Sequence, residues 1–404
     1  MDLVRVEVVD APGSPERTRL QGTVRYDDGR EELYWLDLPR SAAGALGAAA
    51  GDPWLAWLLP LAATRGEPIR LSLPVDVELY DHATEVVRIW RSWYPGVAEV
   101  AVEAPRRKPA ASPTDGITAA FLSGGVDSWF TVLRPRAEAR PAERAPVREV
   151  ITVAGFDIPI DKPDAFRGLA DRLTRAAERT GHSLLPVATN LRATRWSEAD
   201  WGWLAHGAAL AGVALALGRR YRTVYLPATG GYRDLHPWGS HPLTDPLWST
   251  AATAVVHDGA AFTRVEKTRL LVSEPAALES LHVCWRSASD ENCGACNKCY
   301  RVMLILELLG ALERCAAFSA RRVDLDRAAR IYCAESWDYR ELTDISRLAL
   351  EMGRRDVARA VQRAMRRSVP LRRRLAWARA LREAPVLGRW AGLLERQLVA
   401  GWLV

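Results

Sequence analysis

The chain has 404 residues, 49% of them hydrophobic, and a formal net charge of +6. That apolar fraction excludes a disordered chain, and the modest charge admits anionic ligands without demanding nucleic acid. The opening MDLVRVEVVD mixes acid and base early and no apolar run reaches bilayer length, so no signal peptide, no membrane anchor and a cytoplasmic setting are expected.

The length predicts two or three domains. Residues 1 to 112 read as a separate α+β front domain. Leu3–Val9 alternates as a strand, and Thr18–Leu38 holds two more strand-like runs broken at Asp27-Asp28-Gly29. Ser41–Leu61 reads as helix interrupted at Gly51-Asp52-Pro53, Pro68–Leu79 returns to alternation, and His82–Tyr94 has helical spacing. Nothing in this region forms a constellation with chemistry. Its expected roles are docking a partner, covering the active site or dimerising.

Pro105–Asp115 reads as a linker. From Ile117 the pattern becomes strand, helix, strand, helix, which predicts a parallel, doubly wound α/β domain over 113–312. Ile117–Leu122 is its first buried strand. Ser123-Gly124-Gly125-Val126-Asp127-Ser128 is a tight polar turn, and an apolar helix pattern resumes at Trp129. Strand, Gly-rich turn and helix aim backbone N–H groups at an anion. Ser123 and Ser128 add hydroxyl donors, and Asp127 can orient a donor or help hold a metal ion. No Walker-type Gly-Lys-Ser/Thr follows.

Pro135–Pro146 is a charged loop. Glu149–Ala154 is the second strand, and Gly155, Phe156 and Asp157 at its end are candidate adenosine contacts. A helix over Asp164–Thr180, a strand over Ser183–Thr189, a helix over Trp201–Leu217 and a strand over Thr223–Pro227 follow. His206, on an apolar helix face, is left without a role. The loop 228–250 gathers Gly230, Tyr232, Arg233, His236, Trp238, Ser240, His241 and Asp245. It is read as the acceptor-substrate pocket, with aromatic faces for a planar ring and polar groups for its edge; a proline-braced structural loop is the competing reading. His236 and His241 are candidate general bases. Thr263–Leu271 starts another helix, carrying Lys267.

Cys284, Cys293, Cys296 and Cys299 occur as Cys-x8-Cys-x2-Cys-x2-Cys. Four thiolates leave no open coordination position, which predicts a structural Zn2+; an iron–sulfur cluster is the rival. Cys315 and Cys333 lack partners at local spacing and are expected as buried apolar residues. After Gly310 the chain reads as helical to its end. Arg354–Leu398 is rich in arginine, with Trp377 and Trp390 interspersed. Solvated arginine on amphipathic helices is favoured there over a nucleic-acid face.

The turn Ser123–Ser128 resembles the pyrophosphate loop of the N-type ATP pyrophosphatases (the PP-loop superfamily). With the four cysteines, residues 117–312 resemble 7-cyano-7-deazaguanine synthases of the queuosine pathway. The resemblance implies an adenine nucleotide α-hydrolase-like domain, ATP and Mg2+ as reactants, and AMP and pyrophosphate as products. It implies ATP contacts from Leu122, Ser123, Gly124, Gly125, Val126, Asp127, Ser128 and Lys267, and zinc on the four cysteines. The carboxylate activated would be that of a 7-carboxy-7-deazaguanine, attacked by a nitrogen nucleophile to give an amide or a nitrile. The front domain, the tail and a Gly239-Ser-His-Pro-Leu-Thr-Asp245 segment in place of Tyr-Pro-Asp depart from the housekeeping enzyme. They fit at least as well the paralogues found in bacterial anti-phage operons, which join the activated carboxylate to the amino terminus of a partner protein. A tRNA-modifying adenylating enzyme and a non-catalytic nucleotide-binding subunit are the rival functions.

Overall fold

The apolar run at 117–121 is the strand about which the parallel sheet is laid out. The computed structural model describes residues 1–108, 112–137, 145–286, 288–382, 397–399 and 402–403. In chain order the elements are β1 (Asp2–Ala11), β2 (Ser14–Arg25), β3 (Glu31–Pro39), α1 (Asp52–Arg65), β4 (Ile69–Leu71), β5 (Val75–Asp76), α2 (Val77–Trp93), β6 (Val102–Glu103) and β7 (Arg106–Arg107). There follow β8 (Ile117–Phe121), α3 (Val126–Ala137), β9 (Glu149–Ala154), α4 (Pro163–Arg179), β10 (Ser183–Thr189), α5 (His206–Ala216), β11 (Tyr221–Pro227) and β12 (Ala254–Asp258). The remainder is helical: α6 (Arg264–Val272), α7 (Pro275–Glu279), α8 (Asn297–Leu308), α9 (Leu325–Ala328), α10 (Ser336–Glu351) and α11 (Arg355–Arg382). Among the described residues no helix is long and apolar enough to cross a membrane.

Ten strands form one mostly parallel sheet in the order β12-β11-β8-β9-β10-β3-β2-β1-β4-β6. The five strands β12 to β10 are parallel throughout. Their order reverses at β8: β9 and β10 are added on one side, β11 and β12 on the other. Such a reversal opens a crevice at the carboxyl ends of the two strands that flank it, here β8 and β11.

The front segment is not a separate domain. Its antiparallel strands continue the same sheet, because β3 pairs with β10 through Leu36↔Thr189 and Asp37↔Ala188. Side chains extend this short seam: Thr189 Oγ1 donates to the Trp35 carbonyl at 2.7 Å, and the Asn190 amide takes the place of a strand, bonding Trp35 N (2.9 Å) and Leu33 O (2.7 Å). One apolar core, from Met1 to Val255, runs through both regions. Helix α1 is buried from Asp52 to Ala63 and so is apolar on nearly every face. Each leucine it buries contributes roughly 2 kcal/mol. The expected helix over Ser41–Leu61 is therefore shorter and shifted: a 3-10 turn at Arg40–Ala45, then α1, with Pro53 in its first turn where the missing N–H costs nothing.

The chain divides into one unit of residues 1–261 with 288–290, and a second of residues 262–287 with 291–404. The expected boundaries at 112 and 312 fall inside these units. In the second unit α8, α10 and α11 are tied by ion pairs. Arg301 bonds Asp338 (2.9 Å) and Glu341 (2.8 Å), and Arg354 bonds Glu307 (3.0 Å). Helix α11 buries Val357, Val361, Ala364, Leu371 and Leu375 while Arg359, Arg363, Arg366 and Arg372 face solvent, the solvated amphipathic pattern. Trp377 is exposed; Trp390 lies outside the described residues, as do 109–111 of the linker and 138–144 of the charged loop, whose first residues instead complete α3.

At the amino edge of the parallel strands, Glu149 ties β9 to its neighbours. Arg220 grips it with two bonds of 2.7 and 2.8 Å, and the Tyr221 hydroxyl and Ser183 Oγ donate to it. Burial pushes the carboxyl up, but these donors outweigh burial and hold it below its ordinary value of 4.5. Its stabilising effect is thus fully present above that value and is lost as pH falls through the lower folded value. Glu149→Gln is expected to cost about 2–3 kcal/mol at pH 7. Urea midpoints of the two proteins should converge as pH drops below 4.5.

Candidate functional site at the carboxyl edge of the parallel strands

The turn after β8 has the expected strand-to-helix form. Gly124 has φ of 83°, a left-handed conformation that a side chain disfavours. The first helical bond of α3 runs from Trp129 N to Gly125 O at 3.0 Å, so the amides just before Trp129 belong to the first turn, where helix N–H groups have no partner within the helix. Ser128 Oγ donates to Gly125 O at 3.0 Å and lies 3.4 Å from Ser123 Oγ. The two hydroxyls therefore close the turn on itself. Ser128 is buried, Ser123 exposed and Asp127 half-buried. On the far side α3 is anchored to β12: Thr131 Oγ1 donates to buried Asp258 at 2.9 Å, and Arg134 lies 3.3 Å from the same carboxylate.

At the end of β9, Gly155 has φ of 93°, and a Cβ there would lie 2.0 Å from the Thr189 carbonyl oxygen. This is the place where the β9 and β10 exits press together. Gly155→Ala is expected to destabilise the fold by about 3 kcal/mol and to displace the neighbouring loops, read out by urea denaturation. Asp157 is exposed at this edge. Phe156, a candidate adenosine contact, points inward. Its ring is buried in the apolar core, 5.0 Å from the Trp201 ring, and its carbonyl accepts from Arg192 at 2.5 Å.

A row of aromatic rings follows from that contact. Trp201 lies 5.8 Å from His206, His206 lies 5.8 Å from Trp238, and Trp238 lies 5.2 Å from Trp203 and 5.6 Å from His236. The Arg192 guanidinium covers Trp201 at 4.5 Å. The structure thus gathers Phe156, His236 and Trp238 from two strand exits, those of β9 and β11. It adds Arg192, Trp201, Trp203 and His206, which received no role from the sequence. A five-residue π-turn, Trp201–Ala205, opens the expected Trp201–Leu217 helix and brings the three tryptophan and histidine positions to one edge. Burial keeps the His206 imidazole below its ordinary pKa, and its Nδ1 donates to the Trp201 carbonyl at 2.9 Å.

The loop 228–250 splits into two halves. Gly230, Tyr232 and Arg233 stand at the surface, with Tyr232 58% exposed. The second half does not line an open pocket. Asp245 is wholly buried and accepts from Ser240 Oγ (2.6 Å), His257 Nδ1 (2.7 Å) and the His241 amide (3.2 Å). His241 is buried against the Trp93 ring at 4.9 Å, and its Nδ1 accepts from Leu243 N at 3.1 Å. Burial and then the nearby His257 push its pKa down to about 4, so it is neutral at pH 7. For Ser240, His241 and Asp245 the braced-loop reading describes the geometry better than a substrate-lined pocket. The cause is local: Gly207 N donates to Gly239 O at 3.0 Å and Gly239 N donates to Gly202 O at 2.9 Å, which holds the loop against the start of α5.

In the second unit, Lys267 lies in the first turns of α6, which Thr263 and Glu266 close with a capping box. It is 1% exposed, and so it is not a solvated helix-face lysine.

The four cysteines are placed to bind a metal ion. Cys284, Cys293, Cys296 and Cys299 bring their sulfurs within 4.8 Å of one another, with Cys293 and Cys299 at 3.9 Å. Four thiolates at 2.3 Å around one tetrahedral zinc sit about 3.8 Å apart, close to this arrangement, whereas a cubane cluster holds its cysteines wider. The Ala295 and Cys299 amides donate to the Cys293 and Cys296 sulfurs at 3.4 Å. Asn292 fixes the other side, accepting from Val283 N and Cys284 N and donating to the carbonyls of Leu281 and Ala317. Hydrogen bonding from Cys299 pulls the Cys296 thiol below its ordinary value. Cys315 and Cys333 are wholly buried, as expected, and burial raises both thiols to about 11.

In comparison with known proteins, the chain matches no family model, no curated protein and no solved structure.

Proposed function

We propose that the chain is an ATP-dependent, AMP-forming enzyme of the PP-loop type that activates a carboxylate for attack by a nitrogen nucleophile. The observation that carries this reading is the Ser123–Ser128 turn. It stands at the carboxyl end of β8, at the strand where the parallel order reverses, with Gly124 left-handed and the two serine hydroxyls drawn together. Backbone amides in such a turn suit the oxygens of a departing pyrophosphate, and fixed donors of this kind stabilise charge as it develops. Ser123 and Ser128 would add hydroxyl donors, and Asp127 would hold Mg2+.

The acceptor best supported by the resemblance is 7-carboxy-7-deazaguanine. The aromatic row of Trp201, Trp203, Trp238 and His236 suits a planar ring, and exposed Tyr232 and Arg233 border the same strand exit. The nucleophile would be ammonia, leading to an amide or a nitrile, or the amino terminus of a partner protein in anti-phage defence. A structural Zn2+ on the four cysteines would brace the second unit; with all four positions filled by sulfur it offers no place for a reacting water.

The test is incubation with ATP, Mg2+ and 7-carboxy-7-deazaguanine, with ammonium or with a purified operon partner, followed by mass spectrometry. Acceptor-dependent AMP with an amide, nitrile or protein adduct supports the reading. AMP formed only with tRNA would move the assignment to a tRNA-modifying enzyme. No AMP with any acceptor would leave a nucleotide-binding subunit.

A further inference from the structure

We propose that His257, held by Asp245, is the proton acceptor of this edge: it takes the proton released when the nitrogen nucleophile attacks the activated carboxylate. This rests on the function proposed above. The sequence offered His236 and His241 as candidate bases, and His257 was not among them.

Four histidines surround the exits of the parallel strands, and their bonds separate them. His206 donates Nδ1 to a backbone carbonyl and is packed between Trp201 and Trp238. His241 has its Nδ1 occupied by the Leu243 amide. His236 bonds the Asp234 carbonyl at 2.7 Å. His257 is backed by a carboxylate: its Nδ1 lies 2.7 Å from Asp245 Oδ2, which also accepts from Ser240 at 2.6 Å.

A carboxylate only accepts, so His257 carries its proton on Nδ1 and keeps the lone pair on Nε2. Among the described residues Nε2 has no hydrogen-bond partner. Asp245 is wholly buried and receives three donors, so it fixes the ring's tautomer and orientation and stabilises the imidazolium that forms on proton uptake. His257 is the penultimate residue of β12 and pairs with Leu226 just before the β11 exit, on the edge where the nucleotide turn also emerges. Asp245 is therefore a positioning residue and His257 the catalytic one.

The step balances simply. The nitrogen lone pair forms the C–N bond, the C–O bond to AMP breaks with its electron pair leaving on AMP, and one N–H proton passes to His257 Nε2. Adenylation itself needs no such base, because the carboxylate attacks already deprotonated.

The experiment separates the two half-reactions. ATP–pyrophosphate exchange dependent on 7-carboxy-7-deazaguanine reports adenylation, and amide formation from ammonium reports transfer. His257→Gln is expected to lower the ratio of transfer to exchange by about 100-fold. Hydroxylamine, a stronger nucleophile at neutral pH, should recover most of the transfer. Asp245→Asn should shift the same ratio in the same direction. An unchanged ratio in His257→Gln, or equal losses of exchange and transfer with no recovery by hydroxylamine, would overturn the assignment and leave a packed Asp–His pair. Absence of exchange in the unaltered protein would instead remove the adenylating function, and the base with it.

Discussion

Cys299→Ser is expected to strip the metal from the second unit and unfold it. Cys299 is wholly buried and its sulfur lies 3.9 Å from that of Cys293. The site joins the 281–284 segment to the start of α8, beside the bonds of Asn292 to Val283 N and Leu281 O. Structural zinc contributes on the order of 10 kcal/mol of apparent folding energy in small domains, and a lost thiolate forfeits much of it. Elemental analysis should find one zinc per chain in the unaltered protein and almost none in the variant. Limited proteolysis should then cut within 262–382 while sparing the sheet. A chelator should reproduce the effect slowly. A variant that keeps its zinc and its protease resistance would show that the cysteines pack without a metal.

Asp127→Asn is expected to lower acceptor-dependent pyrophosphate release by about 100-fold or more with little change in stability. Asp127 sits in the first turn of α3 and is half-buried, so the amide fits the same space. What the substitution removes is a negative charge beside the turn, the group expected to hold Mg2+. The pairing of lost activity with an unchanged urea midpoint separates this residue from Gly155, where the fold itself should suffer. Full activity in Asp127→Asn would take this residue out of the proposed phosphate site.

The parts of the structure that were legible in the sequence are the local ones. The strands at 117, 149, 183 and 223 stand where apolar runs meet turn residues, and their bounds match within a residue or two. The cysteine spacing announced the metal site because three of its ligands lie within seven residues. The union of the front segment with the parallel sheet was not legible. It depends on two β3–β10 pairs and on Asn190 reaching residues more than 150 positions away, and no local pattern encodes such a register. Burial of polar groups was equally hidden. Asp245 and His241 carry the look of a substrate loop, yet they turn inward because Gly239 can lie against Gly207. His257 sits in a five-residue strand whose sequence, AVVHD, says nothing of the carboxylate twelve positions earlier. Lys267 shows the same limit: the helix pattern over Thr263–Leu271 does not tell that its side chain is buried.

The measurement that tests the account most directly is the identity of the products made from ATP labelled at the α-phosphorus, with Mg2+ and 7-carboxy-7-deazaguanine present or absent. The account predicts labelled AMP, matched one for one by pyrophosphate and appearing only with the acceptor. Labelled ADP with inorganic phosphate, or turnover indifferent to the acceptor, would contradict it.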